Sequence, residues 1–286
     1  MASSEGCHFT RDALTPLGAD VYDRNIADCF SAHGTRSVMA GVRLQLEEDS
    51  GRSIIQPMHA PTGTGSARHS DSQVAAAGFL FVVFIYLAWI CVWLLERWLE
   101  TRCAWINTHA AQSLYWLGMK ILVWVLPGLY VIRYSGSSFR QTVGLDRPGL
   151  ALGWGFGIGL GLALISVIVK TVTHQKLLST PISWSLFSAV IVAPVTEEIA
   201  FRGAVLPALK TRVSFFAANL ITALLFTAAH FPGWYFRHSL LAHLRSPIGG
   251  ALSVFLLGFV FGWVAHKSKG IAGSTLVHMI SNLSYS

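Results

Sequence analysis

From residue 73 onward the chain alternates long apolar runs with short polar breaks. A helix rises 1.5 Å per residue, so about 20 apolar residues cross the hydrocarbon core of a bilayer. Seven stretches approach that length: 74–95, 112–132, 150–172, 183–206, 213–231, 247–266 and 270–285. The first, VAAAGFLFVVFIYLAWICVWLL, carries no charge and is expected to serve as an uncleaved signal anchor. The second contains Lys120. The third is rich in glycine (Gly153, Gly155, Gly157, Gly159, Gly161), which lets neighbouring helices approach closely. The last is weak by hydropathy alone. Residues 232–247, with Arg237, His238, His243 and Arg245, fit either a loop or an interfacial helix. The pattern predicts an all-α, polytopic transmembrane helical bundle of about seven to eight spans.

Residues 1–72 read differently. They are rich in Ser, Gly, His and Asp, lack sustained periodicity, and end in a linker-like stretch, 56–72. No apolar run there is long enough for a signal-peptide core, so no cleaved leader is expected. His8, His33, His59, His69, Cys7 and Cys29 lie in this stretch without zinc-site spacing. The expected division is a polar, disordered N-terminal tail over 1–72 and a membrane domain over 73–286, whose motif-bearing core is 183–286.

Composition sharpens the membrane reading. Of 286 residues 53% are hydrophobic and only 12% charged, about half the usual share. Residues 1–72 hold nine of the fourteen acids and six of the twenty-one basic residues, a local net of −3. The remainder nets +10, with five acids: Glu96, Glu100, Asp146, Glu197 and Glu198. A soluble fold of that length could hardly cover its surface with twenty charges. The basic residues sit between apolar runs, as in membrane-protein loops, so no nucleic-acid partner is expected. Counted by side, eight basic residues face six, which does not set the orientation. Cys91 and Cys103 imply no disulfide framework.

Glu96 and Glu100 follow the first span and Asp146 sits in a loop. Glu197 and Glu198 are different, because they lie inside SAVIVAPVTEEIAFRGAVL. A charge at membrane depth costs roughly 2.5–3.5 kcal/mol on insertion scales, so such a pair marks a functional site. Glu198 and Arg202 are four apart, on one helical face, with the acid first. Glu197 is five before Arg202, about 140° round the helix at 100° per residue, so it does not share that pairing. One glutamate is thus expected to be neutralised, and the other to have no local partner and be available as a base.

Two further polar insertions follow. His230 ends the apolar run ITALLFTAAHFPG, with Phe226 one turn earlier on the same face. His278 and Asn282 in STLVHMISNLS form another i, i+4 pair. A carboxylate base, histidines and an amide donor are what hydrolysis of a peptide bond requires: the base takes a proton from water and the donors stabilise the oxyanion. The other histidines (His109, His174, His238, His243, His266) lie at span ends or in loops.

Glu197-Glu198-x-x-x-Arg202, Phe226-x-x-x-His230 and His278-x-x-x-Asn282 together resemble the three motifs of the CPBP intramembrane proteases. That is the family of the CAAX prenyl endopeptidases (Rce1-type, also called Abi). The resemblance covers about residues 183–286. It implies a helical fold of about eight spans with a polar active-site cavity in the bilayer. It also implies catalytic roles. Glu197 and His230 would activate the hydrolytic water, His278 and Asn282 would bind the oxyanion, and Arg202 would hold Glu198.

The function expected is that of an intramembrane endopeptidase acting on a membrane-associated protein or peptide. No cofactor is expected. A zinc ion would have Glu197, His230 and His278 as ligands, matching a His₂Glu set in type but without HExxH. Two other classes compete with this reading. One is a proton-coupled transporter using the same groups as a relay; the other is a catalytically silent membrane scaffold or immunity factor. The resemblance leaves open prenylated CAAX proteins, bacteriocins or leader peptides, and C-terminal sorting signals as substrates. The expected location is a membrane, multi-pass, and the plasma (inner) membrane for a bacterial source.

Overall fold

The computed structural model describes residues 69–174, 176 and 183–285. The expected tail therefore lies outside the described residues except at its end. There Ser70 caps the first helix, its side chain accepting from the Gln73 N–H while the Gln73 side chain accepts from the Ser70 N–H. Asp71 and Ser72 already belong to that helix.

Among the described residues the protein is helical, with no strand. The long helices are α1 (Asp71–Arg102), α2 (His109–Tyr134), α4 (Pro148–Val172), α5 (184–210), α6 (Phe215–Ala228), α9 (Ala251–Ser268) and α10 (Ile271–Tyr285). Short helices α3 (Phe139–Val143), α7 (Phe231–Phe236) and α8 (Leu240–Arg245) fill the connections. Each of the seven expected segments is thus a helix, and residues 232–247 form two short helices rather than a span. By length and apolarity five stretches can cross a membrane: Asp71–Arg102, His109–Tyr134, Phe139–Val172, Phe215–Phe236 and Ala251–Ser268. Helices α5 and α10 do not reach that standard, and they carry the polar motifs. The fold is an all-α membrane bundle, and the protein is an integral membrane protein.

Three helical stretches are π-helical: Ile121–Val125 in α2, and Ser188–Val192 and Ile199–Val205 in α5. Each is followed two residues later by a proline: Pro127, Pro194 and Pro207. Proline has no N–H, and its ring clashes with the carbonyl four residues back. Widening the preceding turn to i→i+5 relieves that clash without breaking the helix. These widened turns flank the chemistry. Lys120 directly precedes the first of them, and Glu197 and Glu198 lie between the other two.

Among the described residues the most buried stretch is the second half of α5, where Ile199 through Leu206 are all buried. Its apolar side chains pack with Phe81, Ile85 and Trp89 of α1 and with Trp124 and Ile132 of α2. Helix α4 lies at the periphery, with Leu152, Leu160 and Leu164 outward, and packs along α10. Gly155 and Gly159 make that approach possible, because a Cβ on either would meet Leu276 or Ile280. Gly153, Gly157 and Gly161 face away, with nothing near a Cβ position. Only two of the five glycines therefore serve the close packing expected of all of them.

The candidate active site

Helix α5 brings two carboxylates and one guanidinium into the interior: Glu197 is 6% exposed, Glu198 0% and Arg202 3%. Arg202 Nη1 donates to Glu198 Oε1 at 2.9 Å, and Nη2 donates to the Gly258 carbonyl of α9 at 2.6 Å. The guanidinium also lies 4.5 Å from the centroid of Phe226 and 5.4 Å from that of Phe261. Two hydrogen bonds and two ring faces fix it. The i, i+4 pairing forms even though the intervening residues belong to a π-helical turn.

Glu197 is not left without a partner. Lys120, at the start of the widened turn of α2, donates from Nζ to Glu197 Oε1 at 2.7 Å. This corrects the expectation of an unpaired base. The partner lies 77 residues away in sequence, so local spacing could not find it. One signal was present: Lys120 is a lone cation within an apolar segment, and such a charge requires a partner at membrane depth.

His278 of α10, 4% exposed, stands between the two carboxylates. Its Nδ1 lies 3.2 Å from Glu198 Oε1 and its Nε2 3.8 Å from Glu197 Oε2. An ionised carboxylate only accepts, so Nδ1 carries the hydrogen there. The second separation is too long for a direct hydrogen bond. A water about 2.8 Å from both atoms would complete the link, off their connecting line. The ring stacks on Phe261 with centroids 4.4 Å apart.

His230 follows the C-terminus of α6 and immediately precedes α7. Its Nδ1 donates to the Phe226 carbonyl at 2.9 Å. In the neutral ring Nε2 is then the nitrogen with a free lone pair. Phe226 meets the ring edge-on at 4.9 Å. Lys120, His278, His230 and Arg202 are among the charged or chargeable groups that act on Glu197 electrostatically.

Asn282 is placed differently. Its Nδ2 donates to the Ala189 carbonyl at 2.8 Å, in the first widened turn of α5. That bond ties α10 to α5 and directs one amide hydrogen to backbone rather than toward the carboxylates. The structure thus joins Glu198 to Arg202 and His278 and joins Glu197 to Lys120, with Glu197 3.8 Å from His278, sets His230 close by, and places Asn282 one turn further along α10.

Glu96 departs from its expected place after the first span. Helix α1 continues to Arg102, and Glu96 is buried at 5% exposure beside Trp116. Glu100 pairs with Arg97 at 2.9 Å and Asp146 with Arg140 at 2.5 Å. Cys91 and Cys103 are free and exposed.

Residues 179–284 match the family model described as type II CAAX prenyl endopeptidase Rce1-like. No curated protein and no solved structure matches the chain. The matched stretch contains Glu197, Glu198, Arg202, His230, His278 and Asn282 and excludes Lys120. Over that stretch, which carries most of the polar cluster, the chain is similar to the Rce1-like type II CAAX prenyl endopeptidases.

Proposed function

We propose that the protein is an intramembrane endopeptidase that hydrolyses a peptide bond in a membrane-associated protein or peptide, with Glu197 as the general base. One observation carries this reading: the two adjacent carboxylates are held in different ways. Glu198 is locked by Arg202, while Glu197 is gripped only at Oε1 by Lys120, leaving Oε2 turned toward His278 Nε2. A water beside Oε2 would give its proton to Glu197 as its oxygen attacks the carbonyl carbon. His230, with a free Nε2, would orient that water. With hydrogens on both ring nitrogens His278 would keep Nδ1–H on Glu198 and donate Nε2–H to the developing oxyanion, and Asn282 would join it through an amide hydrogen. The proton held by Glu197 then leaves with the amine. Base and oxyanion donors of this kind contribute roughly 10²–10⁴-fold and 10²–10³-fold.

No metal enters this scheme. A dication bound by Glu197, His230 and His278 would have to sit beside the Lys120 ammonium, 2.7 Å from one carboxylate oxygen. Among the described residues, no group of three or more His, Cys, Asp or Glu is arranged to hold one.

The family makes a prenylated peptide with a C-terminal CAAX sequence the first substrate to try, in proteoliposomes carrying wild-type or Glu197→Gln protein. Cleavage by the first and none by the second is the expected result. Proton flux without cleavage would support the transporter instead, and neither activity would point to a silent scaffold. Where the CAAX peptide stays intact, membrane-protein fragments compared between cells carrying the two proteins identify the substrate class.

A further inference from the structure

A cavity of about 320 Å³ lies where α5 and α9 end and α6 and α10 begin. Lys210, His266 and Lys269 line it, and no carboxylate among the described residues does. These three side chains are mutually close. His266 stacks on Phe215 with centroids 4.1 Å apart, Lys210 Nζ lies 5.9 Å from the same ring, and His266 feels the charges of Lys210, Lys267 and Lys269. Lys269 is held there in left-handed backbone, φ 58°, which is uncommon for a residue other than glycine. Like charges gathered without an acid repel one another unless an anion joins them.

A further cationic side chain borders the cavity. Arg202 contributes to the wall of this cavity. Its Nη1 and Nη2 are engaged, but its buried Nε–H has no partner. The lining also has an apolar side, with Leu206, Pro207 and Ile271. Cations and apolar surface at the level of the helix ends match the boundary between lipid phosphate and acyl chain.

We propose that this cavity binds the phosphate-bearing headgroup of an anionic membrane lipid. Lys210 and Lys269 meet the phosphate oxygens, and the apolar wall takes the start of the lipid's glycerol and acyl portion. A free phosphate would satisfy the cations but not the apolar wall. Lys210 and Lys269 lie outside the proposed hydrolytic cluster, and lipid binding by them stands whether or not the protein cleaves a peptide.

The full-length protein, purified with phosphatidylglycerol and phosphatidylcholine in equal amounts, provides the test by native mass spectrometry. Wild-type protein is expected to retain phosphatidylglycerol preferentially. The double variant Lys210→Gln with Lys269→Asn should lose that preference by roughly tenfold or more, since each basic residue near an anionic lipid contributes about 1 kcal/mol. Asparagine is chosen at 269 because it tolerates left-handed backbone. The control, Arg133→Gln with Arg147→Gln, removes two exposed cations outside the cavity and should keep the preference. Equal retention of the two lipids by wild-type protein overturns the proposal, as does an undiminished preference in the lysine double variant. Inorganic phosphate bound by wild-type protein without phosphatidylglycerol retention would overturn the lipid assignment in favour of a free anion.

Discussion

Lys120 Nζ and Glu197 Oε1 lie 2.7 Å apart, joining the middle of α2 to the centre of α5. The side chains are 14% and 8% exposed, so the pair is largely withdrawn from water. Breaking a buried pair by removing one partner costs about 3–5 kcal/mol, because the remaining charge is left unmatched. Lys120→Met should therefore lower the melting temperature in detergent and reduce turnover. Lys120→Arg, which keeps a cation on a longer stem, should recover most of the stability. A Met variant as stable and as active as wild type would show that the contact positions nothing.

Glu197→Gln tests the carboxylate without changing its shape. The amide still accepts from Lys120 at its oxygen but cannot take a proton from water. Turnover should fall by about 10²–10⁴-fold, the range for a positioned general base, while the protein stays folded. His230→Ala should be similarly inactive and folded, since His230 lies at a helix junction and is only half-buried. Circular dichroism beside a cleavage assay separates lost chemistry from lost fold.

Arg202 is expected to be indispensable for folding rather than for chemistry alone. Its removal takes from the Glu198 carboxylate, at 0% exposure, its charged partner and removes the side-chain bond to the Gly258 carbonyl. Arg202→Met should cost about 3–5 kcal/mol and yield little folded protein. Arg202→Lys should rescue it poorly, because an ammonium cannot reach both acceptors with a planar fork. Yield of monodisperse protein after solubilisation is the readout.

Asn282→Ala should be the mildest change at the motif positions. The lost bond to Ala189 is partly exposed, and a bond of that kind is worth about 1 kcal/mol. Activity should drop less than in the Glu197 and His230 variants. A loss equal to that of Glu197→Gln would mean that the amide contacts the reacting carbonyl directly.

Much of this bundle is legible in the sequence, because lipid imposes a simple rule: apolar runs of helical length become helices. The Glu198–Arg202 pair is legible too, since both partners sit on one local face. What escapes is long-range. Lys120 is visible as an odd charge, but its partner is chosen by packing between α2 and α5. Glu96 looks like a boundary residue because α1 continues beyond its apolar run to Arg102, and nothing local says that Trp116 will cover it. The widened turns before Pro127, Pro194 and Pro207 have a sequence signal, yet their effect on side-chain direction emerges only when the neighbouring helices are in place.

The α4–α10 contact links packing to chemistry, because α10 carries His278. Gly159 faces α10, and a Cβ there would meet Ile280, two residues beyond His278. Gly157, two residues earlier, has open space around its Cβ position. Gly159→Val should therefore displace α10 against its neighbours, disturb the His278 contacts with both glutamates, and lower turnover with only partial loss of stability. Overpacking of this kind costs about 1–3 kcal/mol. Gly157→Val, on the same helix with the same change of side chain, should leave both quantities near wild type. Equal effects at the two positions would mean that the glycines matter only for the helix itself, whereas a defect confined to Gly159→Val places the control of His278 in the fit between α4 and α10.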